Sequence, residues 1–496
     1  MATKKYILSP PFYLLCLYSQ KIYDDMTAMG IFYWVYCIVA ILVMVRVVLN
    51  NRDTVKTLAW ILVFIFLPFL GLIIYFFFGR DTRKTKMISR RMLSQIQQRR
   101  QLNDDADNQA DVPQGYEPLV SYFKNTSSSY LLGAGDVEVL STKQFAESLY
   151  NEIDAAKEHI HLQFYIIEDD EFGSLLCEHL IAKARQGVEV RVIYDSVGCW
   201  KVNKEFYEKM RCAGVYVESF LKVRFPLLTN RVNYRNHRKV VVIDGKVGFV
   251  GGCNIADRYL KGVEWGDWRD TMLLVRGMAV HGLQSSFLVD WYFANRTLVS
   301  GKRYFPQLPA GNDALVQVVQ SNPVGEARSV MTGLIKAMYM AKGYVYLQTP
   351  YFMPNSDFIQ ALKSAAMSGV DVRLMIPERS DNRITDYASR SYLVDIMGAG
   401  VKVYLYTAGL LHSKTFVCDD NLCSVGSVNL DFRSFYYNFE VSAFVYGRKV
   451  ACTLKEKFID ETKFCKLLSL STFKERSFGE RCLESVARLF SPLLYM

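Results

Sequence analysis

Residues 159–195 read HIHLQFYIIEDDEFGSLLCEHLIAKARQGVEVRVIYD, and this stretch decides the fold. HIHLQFYII is apolar and rich in β-branched and aromatic residues, which predicts a strand. Apolar residues at helical spacing follow in GSLLCEHLIAKARQG and stop at Gly187, and VEVRVIYD predicts a second strand. A strand, a helix and a strand in direct succession form a βαβ unit. We therefore expect an α/β protein with a largely parallel sheet.

The same unit occurs a second time along the chain. Residues 344–378 read YVYLQTPYFMPNSDFIQALKSAAMSGVDVRLMIPE. The two stretches share an LQ pair, a helix of similar length and the pattern G-V-(D/E)-V-R. A single large repeat indicates two related halves rather than a solenoid. We predict a first half over residues 118–310, a second half with a C-terminal helix over residues 311–496, and a pseudo-two-fold axis that relates two α/β/α halves.

Behind each βαβ unit lies the same pattern of polar residues, HRKVVVID in the first half and HSKTFVCD in the second. A single HxKxxxxD pattern is weak, but a duplicated pattern followed by matching glycine and asparagine residues is specific. Because side chains alternate along a strand, each histidine shares a face with its lysine. The matching residues are His237, Lys239, Asp244, Gly251 and Asn254 in the first half and His412, Lys414, Asp419, Gly426 and Asn429 in the second.

This set of residue types predicts chemistry on a phosphodiester. Two imidazoles and two ammonium groups, brought together across a two-fold axis, would surround one anionic group. The lysines, with Asn254 and Asn429, can hydrogen-bond non-bridging oxygens and stabilise charge at a pentacovalent phosphorus. One histidine can attack phosphorus while the other protonates the leaving alcohol.

Four carboxylates accompany the histidines. A nucleophilic histidine must be neutral and oriented, which requires an acceptor at its second nitrogen. Asp270 in WRD of the first half and Glu440 in NFE of the second half are the candidate acceptors. Asp244 and Asp419 belong to the repeated motif, but they precede GK and DN turns, where an aspartate favours the turn. Their structural role is the stronger interpretation.

Two long apolar segments open the chain, at residues 29–49 and 58–78. Each is close to the ~20 residues that cross a hydrocarbon core, so residues 1–79 are predicted to contain a hairpin of two transmembrane helices. The next segment carries many basic residues, which places it on the cytoplasmic side and makes residues 80–117 a basic cytoplasmic linker. Those residues are Arg80, Arg83, Lys84, Lys86, Arg90, Arg91, Arg99 and Arg100.

Composition agrees with a membrane protein that has an anionic partner. The formal net charge is +10, the mean hydropathy +0.07 and the aromatic content 14%. The eleven cysteines are scattered without a CxxC pair, so no zinc site and no disulfide framework are predicted. The C-terminal stretch ERCLESVARLFSPLLYM has apolar residues at helical spacing, and it either docks on the catalytic core or lies in the membrane interface.

The paired motifs, with GGCN and GSVN behind them, resemble the phospholipase D superfamily. FLPFLGLIIYFFFGR, WRDT, LQTPYFMPN and SVNLDFRSFYYNFE resemble, more narrowly, the bacterial cardiolipin synthases of that superfamily, and the similarity covers nearly the whole chain. The resemblance implies two phospholipase D-like halves. It also implies a multi-pass protein of the bacterial cytoplasmic membrane whose catalytic part faces the cytoplasm.

The resemblance further implies phosphatidyl transfer without a metal or another cofactor. One phosphatidylglycerol gives its phosphatidyl group to the enzyme and releases glycerol, and a second one accepts the group to form cardiolipin. The catalytic pairs are His237 with Lys239 and His412 with Lys414. His237 is then the nucleophile and His412 the acid and base, although the similarity of the halves leaves this order open. Asn254, Asn429, Asp270 and Glu440 match the supporting residues of the family.

The chain departs from the family pattern at two positions, and alternative functions and partners are left open. Members of the family often carry a histidine where this chain has Met272 and an acidic residue where it has Arg258, which puts the headgroup pocket in question.

A hydrolase that releases phosphatidic acid would use the same catalytic residues as the transferase, and a membrane-tethered nuclease is favoured by net charge alone. The predicted partners are phosphatidylglycerol, other anionic phospholipids and the membrane, with no nucleic acid. Phosphatidylethanolamine as a substrate and a homodimer are left open.

Overall fold

The computed structural model describes residues 10–49, 54–67, 69–75, 110–223, 233–308, 311, 314–323, 325 and 327–491. The chain forms two compact units, Met1–Thr82 and Arg83–Met496. The basic segment that was predicted to be cytoplasmic lies mainly outside the described residues, since these resume at residue 110.

The first unit is helical, with α1 (Pro10–Leu49), α2 (Thr54–Phe66) and α3 (Leu70–Ile74). Residues Gly30–Leu49 of α1 have a mean hydropathy of 2.4 and are long enough to cross a membrane. The Tyr36 hydroxyl donates to the Phe64 carbonyl oxygen at 3.1 Å, so α1 packs on α2.

The second predicted membrane span is not one continuous helix. It is divided between α2 and α3, and Phe69 at the division has a φ of 64°. The sequence has a proline at position 68, which offers no N–H to a helix. Among the described residues, α1 is therefore the one helix long enough to span a membrane, and a hairpin of two spanning helices is not confirmed.

The second unit is built from alternating strands and helices. Its strands are β1 (Leu131–Ala134), β2 (Asp136–Ser141), β3 (His159–Phe164), β4 (Glu189–Asp195), β5 (Tyr216–Phe220), β6 (Val240–Ile243), β7 (Val247–Gly251), β8 (Asp267–Arg269), β9 (Thr271–Arg276), β10 (Ala314–Ser321), β11 (Tyr344–Gln348), β12 (Phe352–Met353), β13 (Asp371–Pro377), β14 (Lys402–Tyr406), β15 (Gly409–Leu411), β16 (Thr415–Cys418), β17 (Leu422–Gly426), β18 (Leu430–Asp431), β19 (Glu440–Tyr446) and β20 (Cys465–Leu467). Its helices are α4 (Glu117–Ser127), α5 (Thr142–Ala155), α6 (Glu171–Arg185), α7 (Lys204–Cys212), α8 (Asp257–Lys261), α9 (Val280–Asn295), α10 (Ser329–Met340), α11 (Ser356–Met367), α12 (Arg383–Met397), α13 (Phe432–Tyr436), α14 (Arg448–Glu461), α15 (Leu470–Lys474) and α16 (Phe478–Phe490).

Two sheets reproduce the sequence repeat. The first has the strand order β2-β9-β7-β6-β3-β4-β5, and the second has β1-β10-β19-β17-β16-β11-β13-β14-β20. The stretch of the second sheet from β10 to β14 matches the first sheet strand for strand. The predicted α/β fold of two related halves is thus present in the strand order.

The expectation of a largely parallel sheet is wrong. In the first sheet β3, β4 and β5 run parallel to one another. The other four neighbouring pairs, β2–β9, β9–β7, β7–β6 and β6–β3, are antiparallel. The physical reason is the tight turn between β6 and β7, where Asp244 and Gly245 both have positive φ values and reverse the chain at once. The βαβ unit extends only over β3, β4 and β5.

The apolar run of β6 separates two hydrophobic cores. Val241 and Ile243 pack in the outer core of the first half, beneath α5, α6 and α7. Val240 and Val242 face the opposite way, into a core shared with strands of the second sheet. The strand is buried on both faces because the two sheets pack on each other, which explains why its residues do not alternate between apolar and polar.

One segment crosses between the halves. The segment β1 pairs antiparallel with β10 of the second sheet, with Leu131 opposite Gln317. Phe123 on α4 is fully buried in the outer core of the second half. The segment 117–134 thus packs with the second half, whereas the sequence places nearly all of it in the first. The first half begins, structurally, with β2.

Candidate active site

Each motif histidine lies beside a strand of the other half. The backbone N–H of His237 donates to the carbonyl oxygen of Phe439 at 2.9 Å, and that of His412 donates to the carbonyl oxygen of Arg269 at 2.7 Å. β15 pairs parallel with β8, and Asn236 forms a parallel bridge with Phe439. These reciprocal contacts bring the two half-sites together.

The carboxylates that orient the histidines are exchanged between the halves. The Nδ1 atom of His237 is 3.1 Å from both carboxylate oxygens of Glu440. The Nδ1 atom of His412 is 2.6 Å from Oδ2 of Asp270. The sequence identified both carboxylates as candidate acceptors but did not indicate which histidine each one orients. The parallel strand pairing between halves is the reason for the exchange.

Both carboxylates are fully buried and are themselves held by hydrogen bonds. Glu440 accepts hydrogen bonds from the Ser427 hydroxyl and from Nδ2 of Asn438, the latter at 3.0 Å. Burial raises the pKa of Glu440, but His237, Lys239 and Ser427 outweigh it, and the net pKa lies below the ordinary value. The pKa of Asp270 is likewise lowered, because Lys414 and His412 outweigh burial. Both groups are therefore ionised at neutral pH.

The two lysines bind back to their own motifs. Lys239 Nζ donates to the His237 carbonyl oxygen at 2.7 Å. Lys414 Nζ donates to the His412 carbonyl oxygen and lies 3.6 Å from Asp270 Oδ2. Burial lowers the pKa of both lysines. The charge of Lys414 acts on His237 and that of Lys239 acts on His412, so the two motifs form one electrostatic site.

Both imidazoles are neutral in this site. Burial lowers the pKa of His237. Burial, together with the charge of Lys414, lowers the pKa of His412 to about 3. A carboxylate beside each Nδ1 favours the tautomer with its proton on that nitrogen, which leaves the Nε2 lone pair for chemistry. In the second half Lys414 Nζ also lies 2.6 Å from Nδ1 and 3.3 Å from Nε2 of His412. Neutral, oriented imidazoles beside two lysines can attack phosphorus and exchange protons with an alcohol.

The pKa of His412 predicts a pH dependence of stability. In the unfolded chain His412 titrates near its ordinary 6.5, whereas in the fold its pKa is about 3. Between these values the unfolded chain binds the additional proton, so the free energy of unfolding decreases as pH falls, by about 1.4 kcal/mol per pH unit for one proton. We expect His412→Asn to flatten the dependence of the melting temperature on pH between 6.5 and 4.5. A surface variant, His179→Asn, is the control. An unchanged slope in His412→Asn would contradict the buried neutral imidazole.

The motif asparagines differ in their surroundings. Asn254 donates from Nδ2 to the Tyr259 hydroxyl and accepts the Ile166 N–H at Oδ1, so its amide is engaged within the first half. Asn429 is almost fully buried, and its Oδ1 atom has no hydrogen-bond partner among the described residues. An unpartnered acceptor oxygen does not itself bind a phosphate oxygen, and phosphate binding by the amide NH₂ group of either asparagine stays a prediction.

The motif aspartates lie at the far ends of their strands. The Asp244 carboxylate accepts the backbone N–H groups of Lys157, Glu158 and His159 at 2.8 to 2.9 Å. Asp419 accepts those of residues 342–344 in the same way. A four-residue strand, roughly 13 Å long, separates each aspartate from its lysine. Both aspartates therefore tie a hairpin turn to the start of the neighbouring strand, and their grouping with the catalytic residues of the motif stays a prediction.

We expect Asp244→Ala to lower stability rather than chemistry. The change removes three hydrogen bonds to a charged acceptor and puts alanine at a φ of 53°, for a loss of about 2–3 kcal/mol in the free energy of unfolding. Asp244→Asn tolerates this φ and keeps one acceptor, so it should lose less. Denaturant unfolding measures the difference, and turnover per folded molecule should remain. Loss of turnover in a stable Asp244→Asn protein would restore the catalytic interpretation.

Aromatic side chains line the histidines, and no role was predicted for them. The Tyr165 ring is 5.2 Å from the His237 ring, and Lys239 Nζ lies 5.5 Å from the same tyrosine ring. The rings of Trp268 and Tyr351 are 5.0 and 6.4 Å from that of His412. A signal was present, since Trp268 directly precedes Arg269 and Asp270 in WRD and Tyr351 lies in LQTPYF.

A buried ion pair next to the first motif was also missed. Arg238 donates from Nη1 to Asp290 Oδ1 at 2.6 Å and from Nε to the Glu440 carbonyl oxygen at 3.1 Å. Asn236 donates to the other oxygen of Asp290. Arg238 lies between His237 and Lys239, so alternation turns it away from their face and toward α9. Because Arg238 lies between His237 and Lys239, its buried ion pair with Asp290 holds the chain just before β6 in place.

The two departures from the family pattern lie in different environments. Met272 is fully buried in the outer core of the first half. Arg258 is partly exposed and pairs with Glu168 at 2.6 Å. Neither residue has a described hydrogen bond or ion pair with the motif histidines or lysines.

Comparison with known families identifies the repeat. The profile described as "Cardiolipin synthase, PLD-like domain" matches residues 149–276 and again 334–461. A second profile, "Phospholipase_D-nuclease N-terminal", matches residues 34–80. The two copies of the first profile contain all four residues of the histidine-lysine pairs.

Individual relatives match along nearly the whole chain. The cardiolipin synthase of Alkalihalophilus pseudofirmus is 38% identical over 96% of this chain and 97% of its own. The cardiolipin synthase of Geobacillus sp. is 39% identical over 90% of each chain, and that of Clostridium perfringens is 37% identical over 90% of this chain and 96% of its own.

A solved structure supports the fold independently of close sequence similarity. The phosphatidylserine synthase of Haemophilus influenzae superimposes with a TM-score of 0.60 at 13% identity, over 76% of this chain and 98% of that one. The chain belongs to the bacterial cardiolipin synthases of the phospholipase D superfamily, which are phosphatidyltransferases of phospholipid biosynthesis.

Proposed function

We propose that the two half-sites transfer a phosphatidyl group in two displacements through a covalent histidine intermediate. In the first, Nε2 of His237 attacks the phosphorus of one phosphatidylglycerol. An N–P bond forms, the P–O bond to the headgroup glycerol breaks, and His412 gives a proton to the departing oxygen. In the second, His412 takes the proton of a headgroup hydroxyl on another phosphatidylglycerol. That oxygen attacks phosphorus, the N–P bond breaks and cardiolipin leaves.

One observation carries this proposal: each imidazole is oriented at Nδ1 by a buried carboxylate of the other half. Such an arrangement fixes the tautomer and directs Nε2 at the reacting atom, as in other histidine-carboxylate pairs. Because the histidine and the carboxylate of each pair come from different halves, neither half alone would contain a complete histidine-carboxylate pair. The proposal therefore treats the repeat as one centre rather than two.

To act as an acid, His412 must first be protonated, and the charges of Lys239 and Lys414 influence its affinity for that proton. Burial is the largest cause of the low pKa of His412, and the charges of Lys414 and Lys239 lower this pKa further. A phosphate diester bound beside Lys239 and Lys414 offsets those charges, so the affinity of His412 for a proton increases with the substrate in place. Lysine and backbone donors would then stabilise the charge that develops on the phosphoryl oxygens.

Transfer rather than hydrolysis requires that the second alcohol reaches the intermediate before water. Burial of His412, which is 6% exposed, supports restricted access. The purified full chain, supplied with phosphatidylglycerol as its sole lipid, should yield cardiolipin and glycerol in equal amounts. Phosphatidic acid as the main product would favour the hydrolase instead. A parallel reaction with labelled phosphatidylethanolamine tests whether that lipid replaces one substrate.

We also propose that residues 29–49 and 58–78 cross the bilayer as a hairpin, with the catalytic unit on the cytoplasmic side. Residues Gly30–Leu49 would span about 30 Å as a helix. The packing of α1 on α2 through Tyr36 and Phe64 supports an antiparallel pair. Reporter fusions after residues 52 and 110 should report opposite faces, with the loop outside. Reporters that place both sites on the same face would refute the hairpin.

A further inference from the structure

The C-terminal helix α16 exposes a continuous apolar stripe. At 100° per residue, its large apolar residues fall within about 140° of the helix circumference. Five of these side chains are more than half exposed, and Cys482 is exposed as well. The C-terminal apolar stripe, as we call it, consists of Phe478, Cys482, Leu483, Val486, Leu489 and Phe490.

A different face of α16 attaches the helix to the catalytic unit. Glu484 and Ala487 are buried, and Glu484 pairs with Arg476 at the base of the helix. Arg488 donates to the carbonyl oxygen of Ser391 on α12 at 3.2 Å. Of the two alternatives from the sequence, docking on the core is therefore present. Docking uses one face of α16 and leaves the C-terminal apolar stripe exposed among the described residues.

The charges around the stripe favour an anionic lipid surface. Residues 463–490 contain six basic and three acidic side chains. Lys474 and Arg481 are exposed, and Arg481 lies on the helix flank between the docked face and the apolar stripe, about 60° around the helix from Phe478. An amphipathic helix with an apolar stripe and flanking basic residues lies in the plane of a membrane interface. Anionic headgroups add attraction to such basic residues.

The docked face connects the helix to the active site. Ala487 packs in one cluster with Tyr351, Met353 and Ala388. The Tyr351 ring is 6.4 Å from the ring of His412. One layer of side chains thus separates α16 from a catalytic imidazole.

We propose that α16 is an interfacial membrane helix of the catalytic unit, separate from the N-terminal helices. Its apolar stripe inserts among the acyl chains of an anionic leaflet, and Lys474 and Arg481 bind lipid phosphates. In this position the helix holds the His412 side of the active site at the lipid surface.

Two exposed cysteines provide an internal test. Cys482 lies on the stripe, and Cys212 lies on α7 of the first half. The full chain is reconstituted in nanodiscs of phosphatidylglycerol and phosphatidylcholine and treated with a charged thiol reagent, and each site is quantified by peptide mass spectrometry. The ratio of Cys482 to Cys212 alkylation should be at least about tenfold lower than in the variant Val486→Glu, Leu489→Glu, whose helix cannot insert. Equal ratios would overturn the proposal.

Kinetics give a second, independent readout. The variant Leu483→Gln, Leu489→Gln should lose about tenfold or more of its turnover on phosphatidylglycerol in vesicles. It should keep its turnover on a short-chain, monomeric phosphatidylglycerol. Met367→Gln, which changes an apolar side chain that is 76% exposed on α11, is the matched control and should affect neither substrate. An equal loss on both substrates would contradict an interfacial role.

A second copy of the chain is the alternative occupant of the stripe. In that case Cys482 would be protected only in nanodiscs that contain two copies, and it would form a Cys482–Cys482 crosslink. Protection confined to two-copy nanodiscs would overturn the lipid proposal. Protection in nanodiscs with one copy supports it.

Discussion

Replacing His237 by alanine is expected to reduce cardiolipin formation by at least about 10⁴-fold. The change removes the nitrogen that would bond to phosphorus and leaves the fully buried Glu440 without the imidazole that it orients. Turnover of phosphatidylglycerol in detergent, measured by cardiolipin and glycerol release, gives the magnitude.

The control for this change is His179→Asn, since His179 lies on α6 and contacts Asp154 rather than the motifs. Thermal unfolding of both variants establishes that they fold. If His237→Ala folds normally and retains a tenth or more of the turnover, the two-histidine mechanism is refuted.

The second large effect is expected from Glu440→Gln. The amide keeps the size of the side chain but can present its NH₂ group to Nδ1, which favours the wrong tautomer of His237. A comparable change in a histidine-carboxylate pair lowers kcat about 10⁴-fold, and we expect about 10²–10⁴-fold here. Since the substrate does not contact Glu440 in the proposal, kcat should fall much more than KM changes.

Glu456→Gln on α14 is the matched control, because it changes an exposed glutamate of the same half. The exchange of carboxylates between halves also predicts that Glu440→Gln adds no further loss to His237→Ala, because both changes disable one unit. If kcat remains within threefold of the unmodified enzyme, Glu440 does not orient the nucleophile.

The residues of the site could be predicted from the sequence because they repeat at identical offsets. Strand alternation correctly put His237 with Lys239 on one face. The partners of the histidines were only half predictable. Asp270 and Glu440 were identified from their motifs, but their exchange depends on strand pairs between residues more than 140 positions apart. Spacing along the chain contains no information about such pairs.

The fold was predictable to a similar depth. The repeat indicated two α/β halves, and β3, α6 and β4 form where the pattern predicts them. The turn at Asp244 was predicted, but the expectation of a largely parallel sheet did not take into account that DG in VVVIDGKVGFV is also a signal for an antiparallel hairpin. The pairing of β1 with the second sheet was not predictable, since a short strand can join any free edge.

The most direct test is to find the covalent intermediate. The full chain is mixed with phosphatidylglycerol, quenched within milliseconds at alkaline pH, where phosphohistidine survives, and digested for mass spectrometry. We predict a phosphatidyl group on His237 that is absent in His237→Ala. Steady turnover with no adduct on any histidine, or with the adduct on His412 alone, would contradict the proposed mechanism.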